Sequence, residues 1–285
     1  MEQNILDKLL AEYETFTAAE KKIADYVLTH QRESQDLGIT ELSAECSVAV
    51  STVSVFCRKL KLAGFHDFKI ELARANTLRP GQRFSSGAAE PQPGDSAAQV
   101  MDKAYHRELE ALRRSSAMLD PKAVDQAVEL LLRAGQVLLL GQGNHCAVAQ
   151  IAWAQFSVAS SKFKTIQDSH LQTIALSTLT AEDVVVYFSY SGATLEIMDA
   201  VDVIRQVGAR LILVTRFSRS PAAEFADVVL ISGAEERPLQ FGSGEALLSQ
   251  LYVLDVVLDC FCLQAGGHIR EDREFIGKEL SKKHL

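Results

Sequence analysis

Residues 183–196 read DVVVYFSYSGATLE. An apolar run, VVVYF, passes straight into Ser189, Ser191, Gly192 and Thr194, and a helical pattern, LEIMDAVDVIRQVG (195–208), starts at once. A short, continuously apolar run bounded by turn residues reads as a strand buried on both faces. The turn places three hydroxyls within six residues, around a glycine that lets the backbone bend tightly. Such a turn at a helix N-terminus can surround phosphate oxygens with side-chain and backbone donors. It also suits a plain, capped strand-to-helix connection. On these residues alone both readings stand.

The same alternation extends outward. Upstream lie two amphipathic helical patterns, about 98–119 and 121–134, then QVLLLGQG (136–143), a strand ending in glycine. A helix from about Cys146 to Ser160 follows. Downstream, ARLILVT (209–215) and FADVVLI (225–231) bring the expected strands to four, before a long apolar helix, EALLSQLYVLDVVLDCFCLQAGG (245–267). Apolar strands alternating with helices predict an α/β domain whose parallel sheet is covered by helices on both faces. Ligands bind beyond the strand carboxyl ends of such sheets. Both GQGNH (141–145) and SYSGAT (189–194) fall there. The first lacks the third glycine of a dinucleotide fingerprint, and no P-loop Lys-Ser/Thr pair is present, which argues against nucleotide hydrolysis. No lysine or arginine adjoins SYSGAT in the chain. An anion there would be held by hydrogen bonds and the helix dipole.

At 80–97 the composition changes to PGQRFSSGAAEPQPGDSA, proline, glycine and small polar residues that mark a linker. The expected organisation is an N-terminal domain over 1–79, this linker, a C-terminal domain over 98–267 and a tail over 268–285. The first domain reads as all helical. Thr17 and Glu20 form a capping box for a helix that places Ala19, Ile23, Tyr26 and Val27 on one face. ITELSAEC (39–46), a break, VSTVSVFCRKLKL (50–62) and a helix from about Phe68 to Leu78 give the layout of a helix-turn-helix.

The net charge is −8, so the molecule carries no overall basic field. Between Ser51 and Arg83, however, stand Arg58, Lys59, Lys61, Lys69, Arg74, Arg79 and Arg83 against only Asp67 and Glu71, a local excess of five positive charges. A solvated helix face is the ordinary meaning of such a run; beside a helix-turn-helix it favours DNA. The second helix of the motif would begin near Ser51. Ser51, Thr52 and Ser54 then reach bases or phosphates, with Arg58, Lys59 and Lys61 on the backbone. Cys46, Cys57, Cys146, Cys260 and Cys262 are odd in number and scattered without C-x-x-C spacing. They read as reduced thiols of a cytoplasmic protein, not as a disulfide or metal framework. The charged N-terminus, MEQNILDKLLAEYE, is not a signal peptide, and no membrane span or cofactor is expected.

Strand-GxG-helix, strand-SxSGxT-helix, then SPAAEFADVVL (220–230) together resemble the sugar isomerase (SIS) domain over about 120–265. That resemblance implies a phosphosugar site with Ser189, Ser191 and Thr194 on the phosphate, the backbone of Tyr190 and Gly192 close by, and Gly143, Asn144 and His145 alongside. The family's glycine turn usually reads GxGxS; His145 stands at the serine position. Independently, EKKIADYVL (20–28), ITELSAECSV (39–48) and FCRKLKLAGFHDFK (56–69) resemble the DNA-binding domain of RpiR-type transcriptional regulators, in which a helix-turn-helix precedes an SIS domain. In that family a serine and a proline often stand at the positions of Ala49 and Val50, and an arginine at Val55.

The resemblance implies a non-catalytic regulator of sugar-metabolism genes that binds a double-stranded operator and senses a phosphosugar. The alternative is a phosphosugar isomerase with an appended helical domain, which needs Glu245 or His145 as a base. A third reading has the SIS domain serve only for dimerisation. Glu245 also suits a first-turn acid favoured by the helix dipole, or a ligand contact. His170 is expected to cap its helix or to lie on the surface, Cys146 to be a buried thiol and Trp153 to be core. The long helix, over 245–265, is too apolar to face solvent, so a homodimer or homotetramer through this domain is expected.

Overall fold

A computed structural model of the protein describes residues 5–77, 91–234, 244–266 and, near the C-terminus, 275–276, 278–279 and 281–282. They divide into two compact units. Most of the expected linker and C-terminal tail, together with Arg79 and Arg83, lies outside the described residues.

The first unit is helical: α1 (Ile5–Glu12), α2 (Ala18–Thr29), α3 (Gln31–Asp36), α4 (Ile39–Glu45), α5 (Val50–Lys59) and α6 (Phe65–Thr77). The capping box at the start of α2 is present, Thr17 accepting from the Glu20 N–H and Glu20 Oε2 from the Thr17 N–H. Between α4 and α5 the chain turns 101° within four residues. Ser47 adopts φ 51°, and the N–H groups of Ser47 and Val48 return to the carbonyls of Ala44 and Ser43. This closes α4 by satisfying its last acceptors. Ile23, Val27, Leu42, Val53, Phe56, Leu60, Phe68 and Leu72 meet in one core. Helices α1 and α3 add to the motif read from sequence, and α6 begins at Phe65, three residues before the expected Phe68.

The second unit opens with α7 (Ala97–Met118) and α8 (Pro121–Arg133). It continues as β1 (Val137–Gly141), α9 (Asn144–Ser157), β2 (Phe163–Thr165), α10 (Ser169–Ser177), β3 (Val184–Phe188), α11 (Leu195–Val207), β4 (Arg210–Thr215), β5 (Val228–Ile231) and α12 (Gly244–Ala265). The sheet is wholly parallel, in the order β2-β1-β3-β4-β5. Alternate strand residues feed the two sides. Val137, Leu139, Val186 and Val214 pack with α8, α9 and α12, while Leu138, Leu140, Val185 and Leu213 pack with α10 and α11.

Among the described residues the sheet has five strands where four were expected. Strand β2 has only three residues and lies at the sheet edge, too short for a periodicity signal. Trp153 is 45% exposed, so it is not a core residue, and Cys146 is half-buried. The cap of α10 is Asp168, whose carboxylate accepts the Leu171 N–H at 2.9 Å; His170 is exposed in the first turn. Helix α12 buries Val253, Leu254, Val257, Leu258 and Phe261 inside its own domain. Its hydrophobicity therefore reflects the core and does not itself call for a partner chain.

Candidate functional site

The sheet order reverses between β1 and β3, which is where open α/β sheets leave a crevice for ligands. The last residues of these strands, Gly141 and Phe188, are register partners, so the glycine turn and the serine turn leave the sheet side by side. A side chain at Gly141 would meet the backbone of His145. Gly192 has φ 57°, and a Cβ there would overlap the Ser220 side chain. Both glycines are thus required by close approach.

In the serine turn, successive backbone donors are met by side-chain acceptors. The Gly192 N–H donates to Ser189 Oγ at 3.1 Å and the Ala193 N–H to Ser191 Oγ at 3.3 Å. The Tyr190 N–H donates to His145 Nε2 at 3.3 Å. Thr194 occupies the N-cap position of α11 but its hydroxyl makes no cap bond. This differs from a plain capped turn, in which that hydroxyl would take the N–H two or three residues on. Thr194 is exposed and Ser189 is buried. Gly143 and Asn144 are exposed at the start of α9, beside the turn.

His145 spans the site. Because Nε2 accepts a backbone N–H, the ring proton sits on Nδ1 and is donated to Gln250 Oε1 of α12, 2.9 Å away. Burial holds the imidazole below its ordinary pKa, with the Gln250 bond opposing. Glu245 is not a free carboxylate: Arg107 of α7 donates to it at 2.7 Å, with both side chains largely buried. Tyr190 packs against Ala111 of α7 and Ala246 of α12. The structure therefore brings Ser189, Tyr190, Ser191, Gly192 and Thr194 together in one turn and ties His145 to it. It adds Gln250 and Arg107, which the sequence reading missed because 105 and 138 residues separate them from His145 and Glu245, their respective partners. Several buried polar atoms lack protein partners: Arg107 Nη1, Ser220 Oγ, Ser249 Oγ and Gln250 Nε2. Unsatisfied buried polar groups are rare in finished interiors.

On the first unit, α5 presents Ser51, Val55 and Arg58 to solvent, with Thr52 and Ser54 half-buried beside them and Lys61 exposed just beyond the helix. Ser54 Oγ donates back to the Val50 carbonyl at 3.4 Å. Lys59 differs from its neighbour Arg58. Its ammonium donates to Glu20 Oε2 at 2.7 Å and to the Thr15 carbonyl at 2.8 Å, and lies over the Phe16 ring. Burial pushes the Glu20 carboxyl up, but Lys59 and the Thr17 bonds hold it below its usual value.

The description "Helix-turn-helix domain, rpiR family" matches residues 3–77, and "SIS domain" matches residues 130–259. A helix-turn-helix-type transcriptional regulator of Caldanaerobacter subterraneus subsp. tengcongensis is 30% identical over 243 residues, 85% of either chain. The chain belongs to the rpiR family of helix-turn-helix transcriptional regulators. Another relative is the regulator HexR of Escherichia coli, 26% identical over 99% of this chain and 96% of HexR. The Vibrio vulnificus NanR protein, solved in complex with ManNAc-6P, shares the fold across 99% of this chain and 100% of its own, with a TM-score of 0.86 at 21% identity. As an rpiR-family regulator, the chain joins a helix-turn-helix to a parallel-sheet SIS domain.

Proposed function

We propose that this chain binds an operator through α5 and senses a phosphosugar at the β3–α11 turn, controlling genes of sugar metabolism from the cytoplasm. The observation that carries the reading is the turn itself, whose backbone donors and three hydroxyls converge at the switch point while the cap hydroxyl of Thr194 is left uncommitted. Ser189, Ser191 and Thr194 hold the phosphate with the Tyr190 and Gly192 backbone. Gly143 and Asn144 face the sugar, His145 lies where the sugar meets the phosphate turn, and Glu245 stands at the edge. On the other domain Ser51 and Thr52 reach bases, Ser54 lines the same face, and Arg58 and Lys61 contact phosphates. Lys59 serves mainly to hold α5 against α2. The domain limits are 1–79 and 98–267, flanking the linker.

An isomerase needs a free base near the sugar. Glu245 is held by Arg107 and His145 Nε2 by the Tyr190 N–H, which favours a non-catalytic sensor. One helix-turn-helix reads a half-site, so two copies pair to span an operator, as a homodimer or homotetramer. Effector control requires that the sugar bind one conformer better than the other. The test is a genomic duplex selection followed by titration with a panel of hexose 6-phosphates. Expected is operator binding whose affinity shifts in one direction with one sugar phosphate and no turnover of that sugar. Turnover, or the absence of any selected duplex at low salt, would overturn the reading.

A further inference from the structure

The acceptors that close the serine turn are not equivalent. Ser189 and Ser191 are hydroxyls; each can release its N–H and turn its own O–H toward an anion. His145 cannot. Its one proton is on Nδ1, committed to Gln250, and the lone pair of Nε2 faces the Tyr190 N–H. In this state the ring offers only an acceptor to the space where a phosphate oxygen must sit. The Tyr190 N–H to Nε2 bond, at 3.3 Å, is long and easily exchanged. Gln250 is fully buried, and its Nε2 has no partner.

We propose that His145 is the specificity-determining residue of this cradle: unprotonated, it keeps the Tyr190 N–H closed, and a phosphate monoester enters together with a proton on Nε2. This rests on the phosphate-site reading above. When the anion arrives, the Tyr190 N–H turns to a phosphate oxygen. Nε2 takes a proton from solvent and becomes a second donor, while Nδ1–H stays on Gln250. The positive ring then supplies the charge that SYSGAT lacks. The titratable or charged groups at the site-facing ends of the surrounding elements include Cys146 at the start of α9, Tyr187 near the end of β3, Tyr190 in the turn, Glu196 at the start of α11, and Glu245 at the start of α12 with its partner Arg107. Glu245 is neutralised by that pairing, and burial keeps the ring neutral until the anion is present. The site thereby favours dianionic phosphate and excludes neutral sugars, which cannot stabilise the imidazolium.

The experiment is calorimetric titration of the full chain with inorganic phosphate and with glucose 6-phosphate. It is run in two buffers of different ionisation enthalpy at about pH 8, well above the second pKa of a phosphate monoester, about 6, and where inorganic phosphate is also mainly dianionic. Wild type is expected to take up close to one proton per phosphate bound, and His145→Ser none. By linkage, one proton taken up per ligand means that wild-type affinity for glucose 6-phosphate should rise about tenfold from pH 8 to pH 7, whereas that of a folded His145→Ser should not. No uptake by wild type overturns the inference without reference to any variant's stability. Equal uptake in the two proteins, or the same pH dependence of affinity in a folded His145→Ser, overturns it too. The parent reading fails separately, and the inference with it, if Ser189→Ala with Ser191→Ala binds phosphate as wild type does, or if no form binds.

Discussion

The proposed DNA-facing surface and the proposed effector site are built in opposite ways. Ser51, Val55 and Arg58 come from one helix and stand about one helical turn apart on a face turned to solvent, with Thr52 half-buried beside them. The effector site draws on the β1 turn, the β3 turn, α7 and α12, and its members are mostly tied to one another. A polymer is read by a raised, linear surface whose side chains stay available. A small anion is held by convergent groups, and in the free protein those groups must be satisfied by each other. The cost of removing a residue should follow the same division: ligand affinity in one domain, salt dependence and sequence preference in the other.

The largest effect is expected in the cradle. Ser189→Ala with Ser191→Ala removes two hydrogen bonds to a charged oxygen, each worth about 1.5–3 kcal/mol, a loss of over a hundredfold in affinity. The thermal shift by a sugar phosphate should vanish while operator binding in its absence is unchanged. Retained affinity would break the comparison at its effector side.

Next come the neighbours Arg58 and Lys59. Removing Lys59 leaves Glu20 buried with the Thr17 N–H but without its cationic partner, and because Lys59 is about one-third exposed the cost of Lys59→Ala should be held to about 1–2 kcal/mol. Arg58→Ala should change stability by under about 0.5 kcal/mol, yet weaken specific and random duplexes alike and lower the salt slope by about one. Urea unfolding beside salt-dependent DNA titration separates the two; equal behaviour would contradict the division of the helix. Glu20 titrates in the same sense. Its lowered pKa means that its stabilisation is present above the ordinary glutamate range and is lost as pH falls through the native value.

Val55 sharpens the comparison at a single point. It is 54% exposed in the middle of the proposed DNA-facing surface, where an apolar side chain can meet a thymine methyl but no phosphate. Val55→Arg should tighten binding to random duplex by about tenfold at low salt and steepen the salt slope by about one. An unchanged slope would show that this face does not approach the backbone.

The smallest effect is on stability against pH. The His145 pKa is lowered in the folded chain from an ordinary value of 6.5. The unfolded state therefore binds the proton more readily. Stability should fall as pH drops below 6.5 and level off below the native pKa. Unfolding of wild type and His145→Ser compared between neutral and mildly acidic pH should show this component in wild type only; parallel profiles would refute it.

Local pattern determined much of the protein. The apolar runs 137–141, 184–188 and 210–215 are strands because only a doubly covered parallel sheet hides continuous apolar residues. The Thr17–Glu20 box, the break before Val50 and the turn from Ser189 to Thr194 were also legible, since each acts within a few residues. Arg58 and Lys59 were not distinguishable in sequence. A step of one residue rotates a helix side chain by about 100°, which sends one toward solvent and the other onto Glu20. Glu245 looked available until α7 brought Arg107 across 138 residues. His145 acquired both its hydrogen bonds and its single protonation site only where α12 and the serine turn close around it. Chain order carries periodicity and turn chemistry, but the partner of a buried polar group is chosen by packing, and packing brings together residues that the sequence keeps far apart.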